Sequence, residues 1–371
     1  MAGIYIHIPF CKSRCIYCGF FSITSLTKRQ QYVDAVLREL EERNGYLCGE
    51  PVETIYLGGG TPSQLPDKEL TRILSAVHNI YNVRERAEIS LEANPDDVSA
   101  LRLEHWRHMG VNRLSMGVQT FSDERLQFLH RRHSAQQAIQ AVQMAQEVGF
   151  DNISIDLMFG FPDQTMEEWE YDLQVALSLR VKHLSAYSLM YEEGTRLNQL
   201  LEQGKIAEMD EEVSLQMYEL LIDKLEAEGY FHYELSNFAL PGWESRHNSG
   251  YWRGTPYIGV GAGAHSFDGE SRCYHTDSLQ NYLSGGGLEI ETLTEREHYN
   301  EYVFTGLRTS TGICLNDLAK RFGEPFLAYC LRNAQKHIDA GRLVLRNQFL
   351  HLSRAGLFVS NDVMSDLMWT D

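Results

Sequence analysis

The chain has 371 residues, enough for one large domain and a smaller one. Hydrophobic content of 43% with 23% charged residues is that of an ordinary globular protein, and no apolar run approaches the roughly 20 residues a membrane helix needs. The net charge of −18 excludes broad phosphate-backbone binding and charge-driven attachment to an anionic membrane.

In chain order, Ile4-Tyr5-Ile6-His7-Ile8-Pro9 alternates as a strand closed by proline. The next residues, Cys11-Lys12-Ser13-Arg14-Cys15-Ile16-Tyr17-Cys18, hold three thiols spaced C-x3-C-x2-C in a loop past that strand. Leu26 to Arg43 reads as an amphipathic helix through Val33, Val36, Leu37 and Leu40. Strand and helix signals then alternate. Strands are expected at Glu53–Leu57, Glu88–Leu91, Asn112–Met116, Asn152–Leu157 and Lys182–Ser188. The helices between them begin near Asp67, Leu101, Ser134 and Glu167. Ser134 is the expected N-cap of its helix and Gly149 the stop.

Six βα units predict an α/β fold, a partial (β/α)6 TIM-like barrel with helices outside. Chemistry in such folds gathers at the C-terminal strand ends. The unusual residues of this chain fall there. The second strand ends in Gly58-Gly59-Gly60-Thr61-Pro62, where a ligand can approach the backbone closely, although a plain tight turn also fits. The third ends in Glu92-Ala93-Asn94-Pro95, with a carboxylate suited to ribose hydroxyls. The fourth ends in Gly117-Val118-Gln119, and Gln119 offers a donor and an acceptor. Arg131 can grip a ligand carboxylate as a fork or stand as a solvated helix-end cation. Asp156, an acid inside an apolar strand, needs a partner.

Three thiolates at this spacing suit a [4Fe-4S] cluster, one cysteine per iron, with one iron left open for a small chelating molecule. A zinc site of three cysteines plus His7 is the alternative. Cys48, Cys273, Cys314 and Cys330 are scattered without metal spacing, as expected for a cytoplasmic protein without disulfides. The N-terminus shows no signal-peptide pattern.

Together these motifs carry a resemblance. The C-x3-C-x-aromatic-C stretch with Tyr17, then GGGTP, LEANP, MGVQTF and IDLMFGFPDQT, resembles the coproporphyrinogen-oxidase-like branch of the radical S-adenosylmethionine (SAM) proteins, over most of residues 1 to 190. The resemblance implies that Cys11, Cys15 and Cys18 hold the cluster. It also implies that Tyr5, Tyr17, Gly59, Gly60, Thr61, Glu92, Gln119, Arg131 and Asp156 contact SAM. The oxygen-independent coproporphyrinogen III oxidases read C-x3-C-x2-C-x-C after an N-terminal extension. Here Phe20 stands at the fourth cysteine position, and ten residues precede Cys11.

His247-Asn248-Ser249-Gly250-Tyr251-Trp252 is similar to the H-N-x-x-Y-W signature of the haem-chaperone branch, HemW. That likeness implies haem as a third cofactor, with His247 its ligand and His265 the second choice. It also implies transfer to an acceptor protein, reached at a membrane through a partner if at all. The residues alone equally fit a histidine capping a turn beside two core aromatics. The alternative function is SAM-dependent oxidative decarboxylation of a porphyrinogen.

The expected domains are a barrel with rim extension over residues 1–266, a linker over 267–292 around Ser284-Gly285-Gly286-Gly287, and a winged-helix-like α+β module over 293–371. Residues 295–371 carry nine Lys/Arg and nine Asp/Glu, so no nucleic-acid role is expected for the module.

Overall fold

The alternating N-terminal run forms β1 (Ala2–Ile8), the first strand of a computed structural model that describes residues 1–370. Five βα crossovers follow: α1 (Arg29–Glu42), β2 (Val52–Gly59), α2 (Asp67–Ile80), β3 (Val83–Ala93), α3 (Ala100–His108), β4 (Arg113–Gln119), α4 (Asp123–Phe128), α5 (Ala135–Val148), β5 (Asn152–Phe159), α6 (Met166–Ser178) and β6 (His183–Ser188). The six strands pair in parallel in sequence order. Helix ends follow local chemistry. Ser134 and Gln137 form a reciprocal capping box on α5, and Gly149 ends that helix at φ 95°, as the sequence predicts.

Strand alternation here separates core from lumen rather than core from solvent. One row packs under the helices: Ile4, Ile6 and Ile8 on β1, Ile55 and Leu57 on β2, Leu114, Met116 and Val118 on β4, Ile153, Ile155 and Leu157 on β5. The opposite row is polar and faces inward: Arg113 and Ser115, Ser154 and Asp156, His183 and Ser185. A parallel sheet buried on both faces ordinarily reads as continuous hydrophobic sequence. The period-2 pattern of these strands therefore signals a polar interior.

Two further helices, α7 (Arg196–Glu202) and α8 (Glu211–Ala227), precede the antiparallel pair β7 (Phe231–Glu234) and β8 (Asn237–Ala239), which extends the sheet beyond β6. Short α9 (Arg246–Trp252) closes the barrel floor. Glu88 on β3 accepts from the first backbone N–H groups of α9, those of Arg246 (3.3 Å) and His247 (3.2 Å). A seventh parallel strand, β9 (Tyr257–Val260), pairs with the free edge of β1.

The expected linker is instead ordered sheet. After β10 (His265–Phe267), β11 (Ser271–His275), α10 (Leu279–Leu283) and β12 (Leu288–Thr292) lie within residues 267–292 and complete a twelve-stranded sheet. The glycine triplet ends α10, with Gly285 N–H on Tyr282 O and Gly286 N–H on Asn281 O, and turns the chain into β12. This extension is bolted to α1 by the buried Glu39, which accepts from Arg43 (2.7 Å), His275 (2.8 Å), Tyr282 (2.8 Å) and Gly261 N–H (3.0 Å).

A second core builds the C-terminal module: α11 (Glu295–Leu307), β13 (Ile313–Cys314), α12 (Leu315–Phe322), α13 (Glu324–Asp339), β14 (Leu343–Arg346), β15 (Phe349–Leu352), α14 (Arg354–Leu357) and α15 (Ser360–Leu367). Tyr299, Val303, Leu318, Phe326, Leu350 and Met364 fill it, beneath a three-stranded antiparallel sheet of order β13-β15-β14. The arrangement matches the winged-helix-like expectation. The module bridges the two ends of the large sheet. Leu235 N–H bonds Arg308 O (3.0 Å) and Ser310 N–H bonds Tyr233 O (3.1 Å) beside β7, while Arg272 on β11 pairs with Glu301 on α11 (2.6 Å).

Candidate functional site

The cysteine loop is pinned at both ends. Ile23 N–H bonds Pro9 O (2.7 Å) and Cys11 N–H bonds Ile23 O (2.9 Å), which closes residues 11–23 into a loop at the strand tip. Ile16 holds its middle, donating to Leu129 O (3.3 Å) and accepting from Leu197 N–H (2.8 Å). Cys11, Cys15 and Cys18 all line one cavity of about 400 Å³ at the C-terminal strand ends. Cys11 Sγ lies 3.3 Å from Thr61 Oγ1, so this thiol faces the glycine turn.

That turn is stitched to β1. Gly60 and Thr61 N–H both bond Ile8 O, at 2.9 and 3.3 Å. Gly59 has φ 106°, and a Cβ there would stand 2.6 Å from the His7 ring, so only glycine fits without strain. Tyr17, Gly59, Gly60, Thr61, Glu92, Gln119, Arg131 and Asp156 line the same cavity as the cysteines. Tyr5 does not. It lies inside the barrel beneath the turn, stacked on Tyr56 (6.2 Å), with its hydroxyl sharing a 3.1 Å hydrogen bond with His7 Nδ1.

Three features mark the cavity as a site for a charged ligand. Arg131 is turned inward by His130, at φ 60° just past the end of α4. Its guanidinium meets Asn94 Oδ1 (2.8 Å), Gly117 O and Cys15 Sγ (3.5 Å), while its buried Nε has no acceptor. The solvated-cation alternative does not hold. Gln119 sits at φ 72°, a strained value for a side-chain-bearing residue and a kind of strain that concentrates at functional sites. Glu92 accepts from Tyr56 OH (2.8 Å). Burial, despite that bond and helped by the nearby Asp156, pushes its carboxyl up to about 7. Asp156 accepts from Ser115 Oγ (3.3 Å), and burial holds it up at about 6.

The thiols fit a cluster better than a single ion. Among the described residues no group of three or more His, Cys, Asp or Glu converges on one metal position. A four-iron cube takes one thiolate per iron, so its sulfurs stand apart. The zinc alternative loses its fourth ligand, since His7 spends Nδ1 on Tyr5 OH and Nε2 on Phe21 O (3.0 Å). Burial raises the Cys11 thiol and lifts Cys18 to about 11, a cost that bound metal offsets by replacing the proton.

Two residues that sequence reasoning missed support this site. Asp97, buried behind the loop, accepts from Lys12 (3.0 Å), Ser63 (2.8 Å) and Gln64, with Arg132 at 3.5 Å. It ties the cysteine loop to the segment after the glycine turn. Arg113 lines the lumen floor, held by Asn152 Oδ1 (2.6 Å). Its place in the inward row of β4, two before Ser115, was the available signal.

His247 is not brought to this cavity. It sits at the opposite end of the barrel, 3% exposed, with Nδ1 on Thr54 Oγ1 (2.8 Å) and Nε2 on Tyr251 OH (2.8 Å). Burial pushes its imidazole down to about 3, so it is neutral, and both ring nitrogens are engaged in hydrogen bonds. The resemblance implies His247 as a haem ligand; in this structure α9 closes the barrel floor and the ring packs within it, outside the cysteine cavity. His265 stacks on Tyr274 (5.1 Å) on the sheet extension, also outside the cavity.

Comparison with known proteins extends this picture. A profile of the radical SAM superfamily matches residues 5–176, and one of the HemN C-terminal domain matches residues 293–359. The haem chaperone HemW of Bacillus subtilis is 35% identical over 98% of each chain. HemW of Lactococcus lactis is 33% identical over 99% of this chain and 97% of its own. HemW of Escherichia coli is 39% identical over 71% of this chain and 69% of its own. The solved structure of coproporphyrinogen III oxidase (HemN) from Escherichia coli, a radical SAM enzyme, superposes with a TM-score of 0.86, covering 99% of this chain and 90% of that one. At 23% identity this is a likeness of fold.

Proposed function

The chain belongs to the HemW haem-chaperone family of the radical SAM superfamily, and we propose that it binds a [4Fe-4S] cluster, SAM and haem and passes haem to an acceptor protein. The observation that carries the cofactor reading is the single cavity that gathers three thiols, the Gly59–Thr61 turn and the unpaired Nε of Arg131. Cys11, Cys15 and Cys18 hold the cluster. Arg131 meets the ligand carboxylate, the glycine turn meets its amino group, and Glu92 and Asp156 meet the ribose. When bound, the cluster and SAM together supply reductive one-electron chemistry at this mouth. The protein's own part would be to hold and orient the ligand beside the three cysteines and to keep water from it, with Asp97 fixing the loop.

The surroundings are those of the cytoplasm. No described helix is long and apolar enough to cross a membrane. Anaerobic reconstitution followed by haem titration tests the reading. About four irons per chain and a Soret shift are expected, whereas zinc in place of iron, or no shift, overturns it. The porphyrinogen-decarboxylating alternative is tested in the same preparation by coproporphyrinogen III turnover with SAM and reductant. No turnover is expected, since Phe20, 70% exposed, replaces the fourth thiol of that pattern.

A further inference from the structure

The lumen continues below the level of the residues assigned to the cluster and SAM. By strand register, Tyr56, Ser90, Arg113 and Asn152 form one inward ring across β2 to β5. Arg113 stands one inward position deeper than Ser115, whose hydroxyl meets Asp156. It therefore lies about 7 Å further from the strand tips.

This arginine is 2% exposed and has no ion pair among the described residues. Its Nη1 is spent on two uncharged acceptors, Asn152 Oδ1 (2.6 Å) and Trp243 O (3.4 Å). Its Nε and Nη2 have no acceptor among the described residues, and the side chain lines the cavity. Asp156 feels the charge but does not reach it as an ion pair. Burial, and after it the Arg113 charge, hold His183 well below its ordinary value. That ring is neutral, with Nδ1 on Ser154 Oγ (2.7 Å) and Nε2 on Tyr233 OH (2.8 Å). The floor thus carries one buried positive charge without a counter-ion, an arrangement that is costly unless something completes it.

Two polar groups beside it are also unused. Ser90, the direct neighbour of Arg113 on β3, is fully buried, and its hydroxyl has no partner. Glu92, two residues on, lines the lumen, so the same face of β3 aims Ser90 inward. Asn248 enters the lumen floor from α9, and its side-chain amide makes no hydrogen bond among the described residues. A guanidinium fork, a hydroxyl and an amide around one cavity floor are the donors that hold an oxyanion.

We propose that Arg113, with Ser90 and Asn248, forms a subsite on the lumen floor for the carboxylate or phosphate of a small molecule that enters the barrel beneath the cysteine loop. The subsite is separate from Arg131, which faces the mouth, and the inference does not rest on the haem reading.

The test is thermal melting of the cluster-free full chain in sodium phosphate, sodium acetate or sodium chloride, at one pH and matched ionic strength. Wild type, Arg113→Met, Ser90→Ala and Arg131→Met are compared. General salt stabilisation acts equally on all four, so the reading is the rise beyond that of Arg113→Met. Wild type is expected to exceed Arg113→Met by about 1 °C or more in its response to phosphate or acetate over chloride. The oxyanion with the larger excess identifies the class of ligand. Arg131→Met is expected to keep the wild-type excess. Ser90→Ala is expected to need about threefold more anion for half the effect, and it decides the matter if Arg113→Met does not melt cooperatively. An equal response in wild type and Arg113→Met, or a wild-type concentration dependence in Ser90→Ala, overturns the subsite. Either failure leaves the cluster, SAM and haem reading intact, because the chain tested carries no cluster.

Discussion

Gly60→Ala tests the contact on which the cofactor site is built. The added Cβ would lie 2.7 Å from the Pro9 carbonyl carbon, 2.8 Å from its oxygen and 2.9 Å from Ile8 O, all backbone atoms that cannot swing aside. Relief to an ordinary contact near 3.5 Å means a retreat of about 0.8 Å (3.5 − 2.7) of the turn from the end of β1. That motion stretches the bonds from Gly60 and Thr61 N–H to Ile8 O, and Pro9 leads directly into Cys11. Overpacking of this kind costs about 1–3 kcal/mol and a weakened hydrogen bond about 1 more, so a loss of about 2–4 kcal/mol is expected. Chemical denaturation measures it, with Gly45→Ala as the control, since nothing lies within 4 Å of that site's Cβ. The control is expected within about 0.5 kcal/mol of wild type. In reconstituted protein the same shift is expected to weaken SAM binding by about tenfold or more. Wild-type stability together with wild-type SAM affinity in Gly60→Ala would refute the reasoning.

Other outcomes follow from the same geometry. Glu92, raised from 4.5 to about 7, is a folded-state acid held protonated, so its penalty is absent below about pH 4.5 and grows as pH rises toward 7. Glu92→Gln in the cluster-free protein should be more stable than wild type at pH 8, on the order of 1–3 kcal/mol, and converge with it near pH 4.5. Thermal melts across that range check this, and parallel curves would contradict it. Replacing Cys11, Cys15 or Cys18 by serine should drop iron from about four per chain to under one after reconstitution, while Cys48→Ser, at an exposed site, keeps the full count. His247→Ala should cost about 1–3 kcal/mol of stability, because Thr54 and Tyr251 lose a buried partner. Urea titration reads that loss, and an unchanged midpoint would show that the ring is not packed as described. Asp97→Asn should keep the fold and make the cluster more labile to air, seen as faster bleaching, since Lys12 loses its counter-charge while Arg132 keeps Asp96.

The barrel was legible because its physics is local. Period-2 strands, apolar helix faces and the Ser134–Gly149 punctuation are each written in consecutive residues, and the site residues at the strand tips inherit their place from them. What escaped depends on contacts far apart in sequence. The four residues Tyr257–Val260 become a strand because β1 offers an open edge, and nothing in their glycine-rich context announces it. Ser271–His275 and Leu288–Thr292 pair across a glycine triplet that, read alone, suggests a linker. His247 stands in a stretch of polar and aromatic residues, and only the floor position of α9 shows both its nitrogens engaged. Asp97 was invisible for the same reason, with partners at Lys12, Ser63 and Arg132.

The most direct measurement is the electron paramagnetic resonance spectrum of the dithionite-reduced, reconstituted protein before and after SAM is added. An open iron facing the glycine turn and Arg131 predicts a reduced-cluster signal whose g-values shift on addition, with Arg131→Ala blunting the change. A spectrum indifferent to SAM at saturating concentration, or a preparation that takes up no iron, would contradict the account.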